Sequence, residues 1–362
     1  MKKYKVGILG ATGMVGQNYI RLLENHPWFS VVYLAASANS AGVSYNEAVK
    51  GRWQMLTPIP EKVKNIKVED VSDIEKAVKK CDFVFSAFEI SDKNSVKEIE
   101  EKYAAAGIPV VSNASANRWT LDVPMLIPEI NSDHLDIIPI QKKNHDWDKG
   151  FIAVKPNCSL QSYLTPVYAL IKAGYPINKI MITTLQAVSG AGYPGVPSLD
   201  MIDNVVPFIG GEEDKTEEEP LKILGSIKEN KFTKNKDIKI SATCTRVPVT
   251  DGHLATVNIS FKDKKPSKEE IIKIWKEFKS VPQDLKLPFA PIQPIIYTEE
   301  ENRPQPKKDR NTDKGMATTV GRLRDCKIFD YKFVALSHNT VRGAAGGGIL
   351  NAELLVKKGF IN

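Results

Sequence analysis

No apolar run in this 362-residue chain approaches the roughly 20 residues that a membrane-spanning helix needs, which sets aside an integral helical membrane protein. Cysteine is scarce. Cys81, Cys158, Cys244 and Cys326 stand far apart and form no C-x-x-C pair, which argues against a disulfide framework and against a metal site. Blocks of like charge, heptads, internal repeats and low-complexity tracts are also missing. The formal charge of +7 is spread along the whole chain, and its denser clusters, Lys262-Asp263-Lys264-Lys265 and Pro306-Lys307-Lys308-Asp309, are broken by acids and proline. They read as solvated loops, not as a nucleic-acid surface. A mild positive excess suits small anions such as phosphates. Met1-Lys2-Lys3-Tyr4 runs directly into a strand-like segment, leaving no room for the apolar region of a signal peptide, so a cytoplasmic protein is expected.

What is present is the composition of a globular chain long enough for two domains, 42% hydrophobic and 26% charged. Up to about residue 155, short apolar runs alternate with amphipathic stretches. Lys5 to Leu9, Val31 to Ala35, Phe83 to Ala87 and Pro109 to Ser112 read as buried strands. Such alternation predicts a Rossmann-type parallel sheet with helices on both faces. After Pro156 a helix is expected over Gln161 to Ala173, then long alternating segments at Lys179 to Ala187, Ile238 to Val249 and Leu254 to Phe261. These predict an α+β second domain with a mixed or antiparallel sheet. Gly190 to Pro197 and Pro282 to Asp313 read as loops, and a helix closes the chain after a Gly/Ala-rich turn.

Directly after the first strand stands Gly10-Ala11-Thr12-Gly13-Met14-Val15-Gly16, leading into a helix. Glycines here let the backbone approach a pyrophosphate, which the amides of a helix N-terminus bind. The expected cofactor contacts are Gly10, Thr12, Gly13, Met14, Val15 and Gly16. The second strand runs out in Ala36-Ser37-Ala38-Asn39-Ser40, without the acid that would hold a ribose 2′-hydroxyl and repel a 2′-phosphate. Ser37, Asn39 and Ser40 can donate to phosphate oxygens, or simply cap a turn. NADP is preferred, with NAD left open.

At the expected domain junction, Lys155-Pro156-Asn157-Cys158-Ser159-Leu160-Gln161 places a cysteine just ahead of a helix, where amides would favour a thiolate. A lone cysteine is by itself more often a small core residue than a nucleophile. Other segments decide between these. Pro156-Asn157-Cys158-Ser159, Gln186 to Gly192 and Thr245 to His253 occur together and in this order, and the combination closely resembles aspartate-semialdehyde dehydrogenases of the archaeal and fungal-like branch. The likeness runs from Gly10 to the glycines after Asn339.

The resemblance implies a dinucleotide-binding domain at 1–155, a catalytic and dimerisation domain at 156–338, and a C-terminal segment at 339–362 that packs back on the first. It implies Cys158 as nucleophile and His253 as the acid/base acting on the substrate oxygen, with Gln186 and Asn157 beside them. Arg246 would pair with the substrate carboxylate. Arg118, Lys215 and Glu212 would form the phosphoryl site. Ser86, Ser189, Gly190, Asn339 and Gly343 would approach the cofactor. An offset of seven puts Arg246 and His253 on opposite faces of an extended segment, so Pro248 and Gly252 must bend the chain if both reach one site.

Two departures stand out. Neither Asn39 nor Val43 is the base expected near a 2′-phosphate, and Lys155, Leu160 and Gln161 replace smaller or neutral residues around the nucleophile. The implied reaction interconverts an aldehyde, phosphate and NADP with an acyl phosphate and NADPH, in lysine, threonine and methionine synthesis, by a homodimer or homotetramer. The alternatives are a malonyl-CoA reductase-type paralogue and a catalytically silent NADP-binding regulator.

Overall fold

The computed structural model describes residues 3–88 and 92–362; Met1 and Lys2, part of the start examined for a leader, lie outside the described residues. Six strands form the first sheet: β1 (Tyr4–Leu9), β2 (Phe29–Ala36), β3 (Val68–Asp70), β4 (Phe83–Ser86), β5 (Val110–Ser112) and β6 (Ile152–Val154). All pairings are parallel, in the order β3-β2-β1-β4-β5-β6. Successive side chains on a strand go to opposite faces, and each face has its own core. Tyr33, Ala35, Val84, Val110 and Ile152 pack with Ala77 and Tyr103 on one side. Leu34, Phe83, Phe85, Val111 and Ala153 pack with Tyr19, Ile349 and Leu354 on the other. A sheet covered on both faces explains the continuous apolar runs. The strand order reverses between β1 and β4, which opens a crevice at their C-terminal ends. β3 and β6 are three residues each, too short for periodicity to reveal them.

The second sheet contains β7 (Ile177–Gln186), β10 (Lys239–Arg246), β11 (His253–Phe261), β12 (Ile295–Thr298), β13 (Thr318–Asp325) and β14 (Tyr331–Ser337), in the order β10-β7-β11-β14-β13-β12. Between β7 and β10 lies a small hairpin of β8 (Ser226–Lys228) and β9 (Lys231–Thr233). β10 is parallel to β7, whereas β11 is antiparallel to both β7 and β14, so the sheet is mixed, as expected. Ile180, Ile182, Val257 and Phe333 face inward onto the helices Leu164–Lys172 and Lys268–Glu277.

Two local expectations are corrected and one unassigned segment is placed. Pro282 to Asp313 is not all loop, because Ile295–Thr298 forms the edge strand β12 just after Pro294, whose ring hides a strand signal. The acid-rich segment around Lys215, to which no element is assigned above, is the helix Glu212–Ile223, with Glu212, Thr216, Glu219 and Lys222 buried along one side. Gly346 to Gly348 are not loop but the first turn of the closing helix, Gly346–Lys357. That helix returns to the first sheet. Glu353 accepts from His26 Nε2 (2.8 Å) and from the backbone N–H of the half-buried Phe289; His26 and Glu353 themselves are buried. Just before the helix, buried Arg342 holds Glu129 (2.9 Å), the Met316 carbonyl (2.7 Å) and Thr165 (3.0 Å).

Candidate active site

The chain leaves β6 through Lys155-Pro156-Asn157-Cys158. Asn157 fixes this turn: its Oδ1 accepts from the N–H (2.8 Å) and hydroxyl (2.7 Å) of Ser159, and its Nδ2 donates to Glu212 (2.9 Å). Its own N–H donates to Glu219 (2.6 Å). A short 3-10 turn, Ser159–Ser162, separates Cys158 from the helix that starts at Leu164. The cysteine is therefore not at an α-helix N-terminus, contrary to expectation.

Three strand ends converge on it. Gln186 ends β7, Arg246 ends β10 directly beside it in register, and His253 opens β11 on the other flank of β7. This resolves the parity problem. Arg246 and His253 sit on different strands, joined by a turn in which Gly252 adopts φ +102°. His253 Nε2 lies 3.3 Å from Cys158 Sγ. Its Nδ1 receives the backbone N–H of Ala187 at 3.1 Å. A backbone N–H can only donate, so the neutral ring carries its proton on Nε2, facing the sulfur.

Gly190 lies over this pair. A Cβ there would stand 2.8 Å from Arg246 Nη1 and 3.2 Å from the His253 ring. Gly343 closes the other side, where a Cβ would stand 2.9 Å from that of Cys158. Arg246 donates to the Ala187 carbonyl (2.8 Å) and Gln186 donates to Thr184 and Glu212 (both 3.2 Å).

Glu212 gathers Asn157, Gln186 and Lys215 (2.9 Å). One turn pair further along the same helix, Glu219 holds Arg118 at 2.8 Å. Glu219 is absent from the residues singled out in the sequence. Its signal was there to read: 212, 216 and 219 follow the i, i+4, i+7 spacing of one helix face.

Burial sets the protonation states. It pushes the Cys158 thiol up to about 11, helped by Glu212, although Lys155, Arg118 and Arg246 pull the other way. This direction is opposite to the lowering that helix amides at Cys158 would produce. His253 is lowered to about 3 by burial and then by Arg246. Lys155, buried next to the nucleophile's turn, is lowered to about 7, again by burial first and Arg118 second.

A cleft of about 790 Å³ leads from this floor to the first sheet. Gly10, Thr12, Gly13, Met14, Val15 and Ser37 line one end; Arg118, Lys155, Asn157, Cys158, Ser189, Gly190, Glu212 and Lys215 line the other, with Asn339 and Gly343 between. Asn339 bridges to Ser189 (2.9 Å) and to the Gly252 N–H (2.8 Å). Other expected residues stand back from the cleft. Gly16 packs under the Gly10 carbonyl, serving the turn and not the ligand. Ser86 is wholly buried at the end of β4, and the cleft wall there is Ala87 and Phe88. Asn39 and Ser40 are in the turn behind Ser37. Gln186, Arg246 and His253 lie beneath the wall, at 1%, 7% and 0% exposure. Among the described residues no cluster of His, Cys, Asp or Glu could hold a metal, and no helix is long and apolar enough to cross a membrane.

Residues 5–138 match the family model for the semialdehyde dehydrogenase NAD binding domain, and 167–342 match that for the semialdehyde dehydrogenase dimerisation domain. The aspartate-semialdehyde dehydrogenase of Archaeoglobus fulgidus is 46% identical, over 99% of this chain and 100% of its own. That of Schizosaccharomyces pombe is 44% identical, over 99% of both. The chain belongs to the aspartate-semialdehyde dehydrogenase family. A crystal structure of the Candida albicans aspartate-semialdehyde dehydrogenase with NADP superposes with a TM-score of 0.90 at 38% identity, covering 99% of this chain and 100% of that one. Within the family the two sheets described here therefore correspond to its nucleotide-binding and dimerisation parts.

Proposed function

We propose that the chain reduces 4-phospho-L-aspartate with NADPH to L-aspartate 4-semialdehyde and phosphate, and reverses this, through a thioester on Cys158. The observation that carries the reading is the Cys158–His253 contact of 3.3 Å at the floor of a cleft whose far end is the glycine turn. That turn fits a dinucleotide. Gly13 is the N-cap of the ten-residue helix Met14–Leu23, no side chain caps it, and a Cβ there would meet only the Gly10 carbonyl, at 3.6 Å. Gly10, Thr12, Gly13, Met14, Val15 and Ser37 would hold NADP, the cofactor carried by the Candida relative.

Cys158 Sγ attacks the acyl carbon and forms the C–S bond as the C–O bond to phosphate breaks; the S–H proton leaves on the departing phosphate, and the sulfur set free at the end of the cycle takes a proton back from solvent. Bound in the cleft, NADPH supplies the hydride for the thioester carbonyl. The C–S bond then breaks to release the aldehyde. Throughout, the His253 Nε2–H is positioned to donate to the substrate oxygen and take the proton back, held in that tautomer by Ala187. Arg246 offers its planar fork to the substrate carboxylate. Arg118 and Lys215, both on carboxylates in the free protein, exchange Glu219 and Glu212 for the phosphoryl oxygens. Asn157 and Gln186 keep Glu212 in place for that exchange. The reading makes the chain a cytoplasmic enzyme of lysine, threonine and methionine synthesis.

A homodimer accompanies this reading. The segment after the active-site loop exposes Tyr193, Leu199, Ile202, Val205 and Phe208, and Val206 pairs with Arg246 along the edge of β10. Apolar side chains so closely grouped mark a surface that a partner covers, and a second copy fits the dimerisation model matched here.

The test is phosphate-dependent reduction of NADP⁺ with aspartate semialdehyde by the wild type and by Cys158→Ala. Turnover that Cys158→Ala abolishes supports the proposal. Turnover with malonyl-CoA and NADPH alone moves the substrate to a thioester, and cofactor binding without either reaction leaves only a regulator.

A further inference from the structure

The cofactor reading leaves the 2′-phosphate without a cation, because β2 and the turn Ala38–Ser40 carry neither acid nor base. A cation arrives from elsewhere in the chain. Arg52 Nη2 lies 3.4 Å from Ser40 Oγ, and the same nitrogen donates to the Ala48 carbonyl at 2.6 Å. Ser40 N–H in turn donates to the carbonyl of Ser37, the cleft-lining residue of that turn.

The backbone of Arg52 is fastened to the cofactor turn. Gln17 Nε2 donates to both Thr12 O and Arg52 O (each 2.9 Å), and Gln17 Oε1 accepts from Gln54 N–H (2.8 Å). Tyr45 supports the loop from below: its hydroxyl donates to Ala11 O (2.9 Å) and its ring meets Trp53 edge-on. The guanidinium is thus set between the glycine turn and the end of β2, where the adenosine ribose of a dinucleotide lies. It remains exposed, and among the described residues no carboxylate forms a salt bridge with it. An arginine held by one nitrogen, with the rest of its fork open, is suited to a phosphate dianion.

We propose that Arg52, braced by Ser40, recognises the 2′-phosphate of NADP together with the hydroxyl of Ser37, and so sets the preference for NADP over NAD. The proposal rests on the NADP reading of the cleft. It takes the place of a base at Asn39 or Val43, which this chain lacks.

Calorimetric binding of NADP, NAD and 2′,5′-ADP to the wild type, Arg52→Gln and Arg52→Lys tests it. Arg52→Gln should weaken NADP and 2′,5′-ADP about tenfold or more, the loss of a charged hydrogen bond, and leave NAD within about twofold. Arg52→Lys should recover part of the loss. Unchanged NAD binding shows that the variant is folded. Equal weakening of NADP and NAD would place the guanidinium on the adenine and overturn the proposal, as would no weakening at all. Wild-type protein that binds NAD as tightly as NADP would sink the NADP reading itself, an outcome visible without any variant.

Discussion

At the residue scale, the sulfur and the ring it touches are both uncharged at rest. The thiol is pushed up to about 11 and the imidazole down to about 3, so neither ionises the other near neutrality. Alkylation of Cys158 by iodoacetamide should consequently be slow at pH 7 and keep accelerating beyond pH 9, past the range of an ordinary cysteine. A plateau below pH 8 would show a thiolate stabilised by the site. Gly190 tests the geometry by crowding Arg246 and His253 while leaving both side chains in place. Gly190→Ala puts a methyl 2.8 Å from Arg246 Nη1, so kcat/KM should fall by about tenfold to 100-fold while the melting temperature scarcely moves. Full activity in that variant would show that Arg246 and His253 can shift freely.

At the element scale, the closing helix Gly346–Lys357 links two distant parts of the chain. Glu353 is the polar contact that anchors it, accepting from His26 and Phe289. His26 Nδ1 accepts the N–H groups of Trp28 and Phe29, which leaves its Nε2–H for Glu353. Glu353→Ala strands these buried donors and should cost about 1–3 kcal/mol in urea unfolding, with Glu353→Gln retaining most of the stability. Equal losses in both variants would mean that charge, and not an acceptor, matters there. The helix Glu212–Ile223 shows how context hides an element. Its acids and Pro220 disguise a helix in the sequence, yet Glu212 and Glu219 are buried because Asn157, Gln186, Lys215 and Arg118 supply their partners. A buried carboxylate needs such partners, and apart from Lys215, which is on the helix itself, they come from three other segments.

At the scale of the whole molecule, acid stability follows from the histidines. Burial lowers His26 and His338 to about 4, His253 to about 3, and His134 as well. Below the ordinary histidine value the unfolded chain gains protons that the folded chain refuses, so stability falls with pH from about 6.5 toward 4. Glu353, raised to about 8 by burial, acts in the opposite sense over about 8 to 4.5, and Glu100, also raised by burial, acts in the same sense as Glu353. Four groups outweigh two, and the melting temperature at pH 5 should lie below that at pH 7; a higher one would mean the buried carboxyls dominate. The apolar segment beside β10 supplies the other prediction at this scale. Leu199 is 86% exposed and Phe208 67%. The double variant Leu199→Asp/Phe208→Asp should run as a monomer in light scattering where the wild type is a dimer or larger, and an unchanged mass would move the interface elsewhere.

The sequence by itself determined what is local or periodic. Alternating buried runs specified a parallel sheet followed by a mixed one, and the glycine turn between Leu9 and the helix Met14–Leu23 marked the cofactor end. Cys158, Arg246 and His253 were legible through their motifs. Tertiary structure decided what depends on distance through space. It set Arg246 and His253 on the two flanks of β7, brought Glu219 to Arg118 across 101 residues, placed Arg52 beside Ser40 and buried Cys158 so that its thiol is pushed up. The reason is physical: backbone periodicity acts over a few residues, whereas desolvation and charge act between any groups that folding brings together.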